Sequence, residues 1–376
     1  MTRDVVCAHS RRIDTATALA ELKPQLAGSE PAVLLFFCSS NHDGMMLQSQ
    51  LKTLAPKALV LGCTTSGEFT NRGMSQGGVV VLALSSAKVR RCAVALAEYD
   101  KGVSVEAAVG EATARMSQSL GVDMRKLNPE NWVGVVLNEG MNGNEEDVAA
   151  TLGHVAPFLS FVGGSAGDNL TIKQCTVYCE GRSSSNGSAL LLMELAVPYV
   201  IVKTCSFEPT EKRLRITRVQ HRIVYEIDGQ PALRRYAELC GVNPEAVDNV
   251  VFANNPVGLM IDGEPWVRSP VALMPDGGIM FGCRLLEGSE LHMLRPTNEL
   301  VKDTKAALAA GAQKLGKQPS VGLLFNCAHR CHEIEAKCID AQFTEAISGF
   351  PAIGFNSYGE SYLAQLNQTL IGLLLG

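Results

Sequence analysis

No apolar run in this 376-residue chain approaches the ~20 residues that cross a bilayer, so no membrane helix is expected. The first residues, broken by Asp4, His9, Arg11 and Arg12, lack the pattern of a signal peptide. A polybasic stripe is missing too. The net charge is −5, and the one locally basic stretch, Lys203 to Arg222, spaces Arg213, Arg215 and Arg218 like the wet face of a strand. No nucleic-acid groove is expected from it. There is no phosphate loop, no dinucleotide fingerprint and no Gly-x-Ser-x-Gly elbow, so nothing here announces an enzyme. Twelve cysteines scatter singly, several within apolar runs (Cys38, Cys63, Cys92, Cys283, Cys327). That is the usage of small buried thiols in a reducing compartment, without a disulfide framework. A soluble cytoplasmic protein is the expectation.

What is present is a core-forming composition, 46% apolar and 19% charged, with length for two or three domains. It also repeats. Gly62-Cys63-Thr64-Thr65-Ser66-Gly67-Glu68 has weaker copies in Gly163-Gly164-Ser165-Ala166-Gly167-Asp168 and Gly354-Phe355-Asn356-Ser357-Tyr358-Gly359-Glu360. Each copy follows an apolar run: Leu34 to Cys38, Val135 to Asn138, Leu323 to Cys327. One unit of strand, polar loop, helix, strand, glycine turn and carboxylate is therefore used three times.

Helices are expected over 14–26, 45–54 (capped by Asn41 or Asp43), 104–120, from 145 to Pro157, 231–240, 298–313 and 331–347. Gly78 to Leu84 and Val89 to Leu96 read as a hairpin through Ser85-Ser86. A second hairpin is expected from Gln174–Cys179 and Ala189–Leu195, with an exposed loop at 181–187. Ile223 to Asp228-Gly229 alternates and ends in a hairpin turn; Asp276-Gly277 is another, and Pro256 to Trp266 reads as strand. The fold class is α/β, with mixed sheets covered by helices and the β-α-β-hairpin unit repeated. Two parts are expected, 1–220 with two units and 221–376 with the third unit at about 320–375.

With these residues laid out, the chain resembles the FIST family over nearly its whole length. The first two glycine turns match the N-terminal part of that family. Tyr225 to Ala232, Asp276-Gly277 to Glu287-Gly288, Asn326-Cys327-Ala328-His329-Arg330, Gly354 to Glu360 and Asn367-Gln368-Thr369 match the C-terminal part, in family order. At one place the chain departs: Leu366 stands before Asn367 where many relatives carry His. The resemblance implies sensing rather than turnover, with output through a partner such as a histidine kinase or a cyclic-dinucleotide enzyme. It implies a small ligand, such as an amino acid. The chain also resembles standalone bacterial members described as haem-binding nitric-oxide sensors, which implies haem b. A homodimer stays open as an assembly.

Ligands of α/β sheets gather beyond the carboxyl ends of strands, which places candidate binding groups on the three turns. These are Cys63, Thr64, Thr65, Gly67, Glu68, Ser165, Asp168, Ser357, Tyr358 and Glu360, with Arg330 beside the third loop. Each carboxylate can equally cap its own turn. A haem iron needs an axial side chain, and His42 and His329, in equivalent loops, are the alternatives. Cys327, His329 and Cys331 could form a small zinc site. A larger one is excluded if 331–347 is one helix, since Cys331 and Cys338 would then stand about 10 Å apart along it.

Overall fold

The computed structural model describes residues 3–99 and 102–376. They form two compact units: Met1–Lys203 with Thr304–Gln365 and Leu370–Gly376, and Thr204–Asp303 with Leu366–Thr369. The third repeat thus belongs with the first two, not with residues 221–303.

The first copy runs β1 (Val5–Ser10), α1 (Thr15–Leu26), β2 (Pro31–Ser39), α2 (Gly44–Leu54), β3 (Leu59–Thr65), the hairpin β4 (Glu68–Thr70) and β5 (Gly73–Ser75), and β6 (Val79–Ser85). The second runs β7 (Val89–Glu98), α3 (Val105–Leu120), β8 (Trp132–Asn138), α4 (Glu145–Val155), β9 (Phe161–Ser165), the hairpin β10 (Val177–Cys179) and β11 (Arg182–Ser184), and β12 (Gly187–Leu195). The third opens with β13 (Tyr199–Cys205) and is then interrupted by the second unit. That insert holds β14 (Phe207–Gln220), β15 (Ile223–Ile227), β16 (Gln230–Pro231), α5 (Ala232–Cys240), α6 (Asn249–Asn254), β17 (Val257–Ile261), β18 (Glu264–Arg268), β19 (Pro270–Leu273), β20 (Ile279–Phe281) and β21 (Glu290–Pro296). The third copy resumes with α7 (Leu300–Leu315), β22 (Val321–Cys327), α8 (Ala328–Ala336), α9 (Asp340–Ala346), β23 (Ala352–Ser357), the hairpin β24 (Glu360–Tyr362) and β25 (Ala364–Leu366), and β26 (Thr369–Leu375).

Each copy builds one six-stranded sheet of the first unit, but lends its hairpin to a neighbour. The orders are β1-β6-β2-β3-β10-β11, β7-β12-β8-β9-β24-β25 and β13-β26-β22-β23-β4-β5. In each, a parallel pair (β2–β3, β8–β9, β22–β23) is flanked by the copy's last strand and by the lent hairpin. The hairpin of copy one goes to copy three, that of copy two to copy one, and that of copy three to copy two. The exchange closes a ring and covers the outer edge of each parallel pair, which would otherwise offer unpaired N–H and C=O groups.

Local chemistry agrees with this. Asp14, Asp43 and Ser104 cap α1, α2 and α3 through Thr17, Met46 and Ala107 N–H, and Gly121 ends α3 at φ 64°. β2 and β22, buried on both faces, read as continuous apolar runs for that reason. In the insert, Asp228 and Gly229 turn left-handed (φ 53° and 72°), as their pairing in sequence requires. Arg213 and Arg215 are exposed while Leu214 and Ile216 are buried; a bulge between Ile216 and Arg218 keeps Arg218 outside as well.

Several expectations need correction. β6 and β7 are not a hairpin, since β6 pairs with β1 and β2 and β7 with β12. The apolar runs on both sides of Ser85-Ser86 belong to different sheets, which sequence spacing cannot reveal. In copy two the hairpin is the short β10–β11 pair, and β12 belongs to another sheet. Pro256 to Trp266 is broken by a left-handed Asp262-Gly263 turn between β17 and β18. The helix expected at 331–347 is two, α8 and α9, separated by Cys338 at φ 52°. Cys331 is buried and Cys338 exposed, so they do not share a core face. A strand at Val5–Ser10 was not expected at all.

Candidate functional site

The three glycine turns meet at the centre of the first unit. Ser66 N–H donates to Asn356 O (3.0 Å), Asn356 N–H to Gly67 O (2.8 Å), Gly167 N–H to Thr64 O (3.0 Å), Tyr358 N–H to Ser165 O (3.1 Å) and Ser165 N–H to Gly359 O (2.8 Å). Most of the residues singled out by the repeats are therefore brought together. They are engaged with one another. Thr65 Oγ donates to Glu68, and Ser357 Oγ donates to Glu360 at 2.7 Å, the same three-residue link in two copies. Glu68 also accepts Gly78 N–H at 2.9 Å. Thr64 Oγ accepts Thr176 N–H at 3.0 Å, and Cys63 is buried on β3.

The second copy differs. Ser165 Oγ donates to Glu145 on α4 (3.0 Å), and Asp168 instead anchors the next loop. Its carboxylate accepts the N–H groups of Ile172 (3.0 Å), Lys173 (2.6 Å) and Gln174 (3.1 Å), the Thr171 hydroxyl (2.7 Å) and the Tyr358 hydroxyl. Burial pushes this carboxyl up, but those donors outweigh it and hold it at about 2. The loop needs the anchor, because Asn169, Leu170 and Ile172 are all left-handed (φ 57°, 60° and 51°). An Asp168→Asn variant should lose about 1–3 kcal/mol at pH 7, read as a lower urea midpoint. The sign follows from the depressed value. The contribution is present above the ordinary carboxyl value of 3.8 and fades as pH falls towards 2, a dependence the Asn variant should lack.

The histidines lie elsewhere. His42 is 6% exposed; its Nε2 donates to Gly77 O (3.0 Å) and its Nδ1 accepts from Thr15 Oγ (3.2 Å). Burial lowers its pKa, which keeps it neutral in that tautomer. Its one lone pair is committed, so it does not fit an axial haem ligand. His329 sits in the first turn of α8, its pKa lowered by burial and by His332. Arg330 beside it is 2% exposed, with Nε on Asn326 Oδ1 (2.9 Å) and Nη2 on Thr304 Oγ (2.7 Å). Asn356 Nδ2 donates to Cys331 Sγ at 3.1 Å. Among the described residues no group of three His, Cys, Asp or Glu is placed to hold a metal.

Sequence reasoning missed the crevice that opens beside the second copy. About 100 Å³ in volume, it lies between β8, α4 and the lent hairpin β24–β25. Val136, Val148, Leu152 and Phe161 supply an apolar wall, and Asn138, Glu145 and Ser361 a polar one. The polar groups are almost wholly buried: 3% exposure for Asn138 and Glu145, 7% for Ser361. They belong to a chain. Tyr99 O–H donates to Ser188 (2.6 Å), Ser188 to Asn138 Oδ1 (2.5 Å), and Asn138 Nδ2 to Ser361 Oγ (3.3 Å). Glu145 stands in the first turn of α4, where the helix dipole favours a carboxylate. Neighbouring Glu139 is pushed up to about 7 by burial, against the pull of Met141 and Asn142 N–H, with Glu145 adding to the rise. The signal in the sequence was Glu145 following the loop 139–144, but only the hairpin exchange brings Ser361 beside it. A larger hollow of about 440 Å³ lies in the second unit at Arg218, Tyr225, Glu226 and Arg234. Arg218 is already paired there with Glu226 at 2.8 Å and lies over the Tyr225 ring at 4.9 Å, and Arg234 at the rim is exposed.

A threefold sheet ring with a small, polar-floored crevice along one helix is an architecture suited to a small ligand. Family models agree. The FIST N domain matches residues 32–230 and the FIST C domain residues 232–362. The chain belongs to the FIST family, whose domains are small-ligand sensory modules rather than catalysts. It is also similar to an uncharacterized protein of Methanocaldococcus jannaschii, 20% identical over 261 residues, which cover 65% of this chain and 50% of that one. The chain spans about half the length of that curated relative. No helix among the described residues is long and apolar enough to cross a membrane.

Proposed function

We propose that this chain senses a small polar metabolite and passes the bound state to a separate effector, of the histidine-kinase or cyclic-dinucleotide type that its family serves. The observation that carries this is the crevice of the second copy, where buried polar groups meet an apolar wall between α4 and the lent hairpin. The hairpin that roofs it, β24–β25, continues along the chain into Leu366–Thr369, which pack as part of the second unit. Ligand contact with the hairpin therefore acts on a segment joining both units.

Haem with nitric oxide is the reading that these residues fit less well. His42 has no free lone pair, and neither crevice has a histidine in its wall. The test has two halves. In a thermal-shift screen of amino acids and amines at neutral pH, at least one compound is expected to raise Tm in a concentration-dependent way. The protein mixed with hemin is expected to give no Soret band that shifts on reduction. A shifting Soret band together with an empty screen would overturn the metabolite reading in favour of haem.

A further inference from the structure

The ring of exchanged hairpins makes three positions comparable. In each sheet a glycine of the second parallel strand pairs on one side with the first strand and on the other with the lent hairpin. Gly62 lies between Phe36 and Tyr178, Gly354 between Leu324 and Phe69, and Gly163 between Val136 and Ser361. In two copies the hairpin residue is aromatic, and its ring fills the space under the helix. Tyr178 stacks on Phe36 (5.5 Å between centroids) and presses on Gly44 at the start of α2, where a Cβ would come within 2.2 Å of the ring. Phe69 packs edge-on to Phe343 of α9 (5.8 Å) and over Gly354, where a Cβ would come within 2.4 Å of it. In the second copy the ring is absent. Serine stands in its place, Val136 replaces Phe36, and the first helical residue is Glu145 where α2 has Gly44.

We propose that the second copy's crevice is a ring seat vacated for a ligand, and that the ligand is a primary amine carrying a short branched apolar body. This rests on the sensory reading above and names the ligand class of that site. The body is sized by volume. An apolar cavity of ~150 Å³ accommodates benzene, so about 100 Å³ suits a body of four or five carbons, with the open mouth admitting more. The charge is set by the wall. Glu145 is its one carboxylate, and among the described residues the wall has no Lys, Arg or His to attract an anion. Ser165 already donates to Glu145, and Asn138 to Ser361, so the polar floor is held in place before a ligand arrives. An ammonium beside Glu145 would also relieve its repulsion with Glu139.

The test uses the whole chain, with 3-methylbutylamine, 3-methylbutanol and 3-methylbutanoate as probes, titrated by methyl NMR. The amine is expected to shift the Val136, Val148 and Leu152 methyls and to bind at least tenfold tighter than the alcohol or the acid. Glu145→Gln, which can still accept from Ser165, should bring amine and alcohol within about threefold of each other. Ser361→Phe, which restores the ring of the sister copies, should abolish binding of all three while its methyl spectrum stays that of a folded protein. Should that variant fail to fold, Ala149→Leu at the rim makes the same prediction. Equal binding of amine and alcohol to the wild type would overturn the amine assignment. A metabolite from the thermal screen that raises the Tm of Ser361→Phe as much as that of the wild type would overturn the crevice. Failure of the sensory reading looks different: no compound in the screen would act on the wild type.

Discussion

Gly163→Ala is expected to prevent folding or to lose more than about 4 kcal/mol, among the largest effects a single methyl can have. A Cβ at Gly163 would lie 1.7 Å from the carbonyl oxygen of Val136. The Cβ is fixed to the backbone of β9 and the oxygen is backbone of β8, so neither can swing away, and β8 and β9 would have to part. Gly62 and Gly354 are in the same predicament, each with a Cβ position 2.2 Å from the carbonyl oxygen of its partner, Phe36 or Leu324. All three glycines exist for close approach, not for unusual dihedrals. The control is Gly110 within α3, where a Cβ would meet nothing within 4 Å. There alanine should add about 0.5–1 kcal/mol by helix propensity. Chemical denaturation of both variants checks the pair.

The second large effect is one of pH, and it comes from Glu68. Its side chain is wholly buried, and burial pushes the carboxyl from 4.5 up to about 7 despite the Thr65 hydroxyl and Gly78 N–H that it accepts. The folded value lies above the unfolded one, so the protonated acid is the form that folding favours. Its contribution is complete below about pH 4.5 and is lost as pH rises through 7. A rise of that size corresponds to roughly 3 kcal/mol at 1.36 kcal/mol per pH step. Glu68→Gln imitates the protonated acid. Its unfolding free energy should match the wild type at about pH 4 and exceed it by roughly 3 kcal/mol at about pH 8. A Gln variant that follows the wild type across that range would mean Glu68 is ionised throughout. Glu139, also raised to about 7, will leave a residual slope of its own.

The repeat itself was legible, because glycine turns follow apolar runs at similar spacing in all three copies. So were α1, α2, α3 and the Asp228-Gly229 turn, where caps and turn residues act locally. What was hidden is everything non-local. The Ser85-Ser86 hairpin failed because neighbouring strands in sequence join different sheets, and β1 went unseen because His9 and Ser10 interrupt its apolar signal. The break between α8 and α9 depends on one left-handed cysteine, a residue with no preference for that conformation. The candidate groups on the glycine turns converge as spacing implied, yet Glu68, Glu360 and Asp168 spend their oxygens on their own turns and loops. The crevice needed the hairpin exchange, since Ser361 reaches Asn138 across 223 residues of sequence.

On this reading ligand occupies the crevice between β8, α4 and the β24–β25 hairpin. The most direct test is a crystal structure of the protein with a compound taken from the thermal screen. Density enclosed by Val136, Glu145, Leu152 and Ser361 is the predicted result. Density of the same compound anywhere else, with that crevice unchanged, would contradict it.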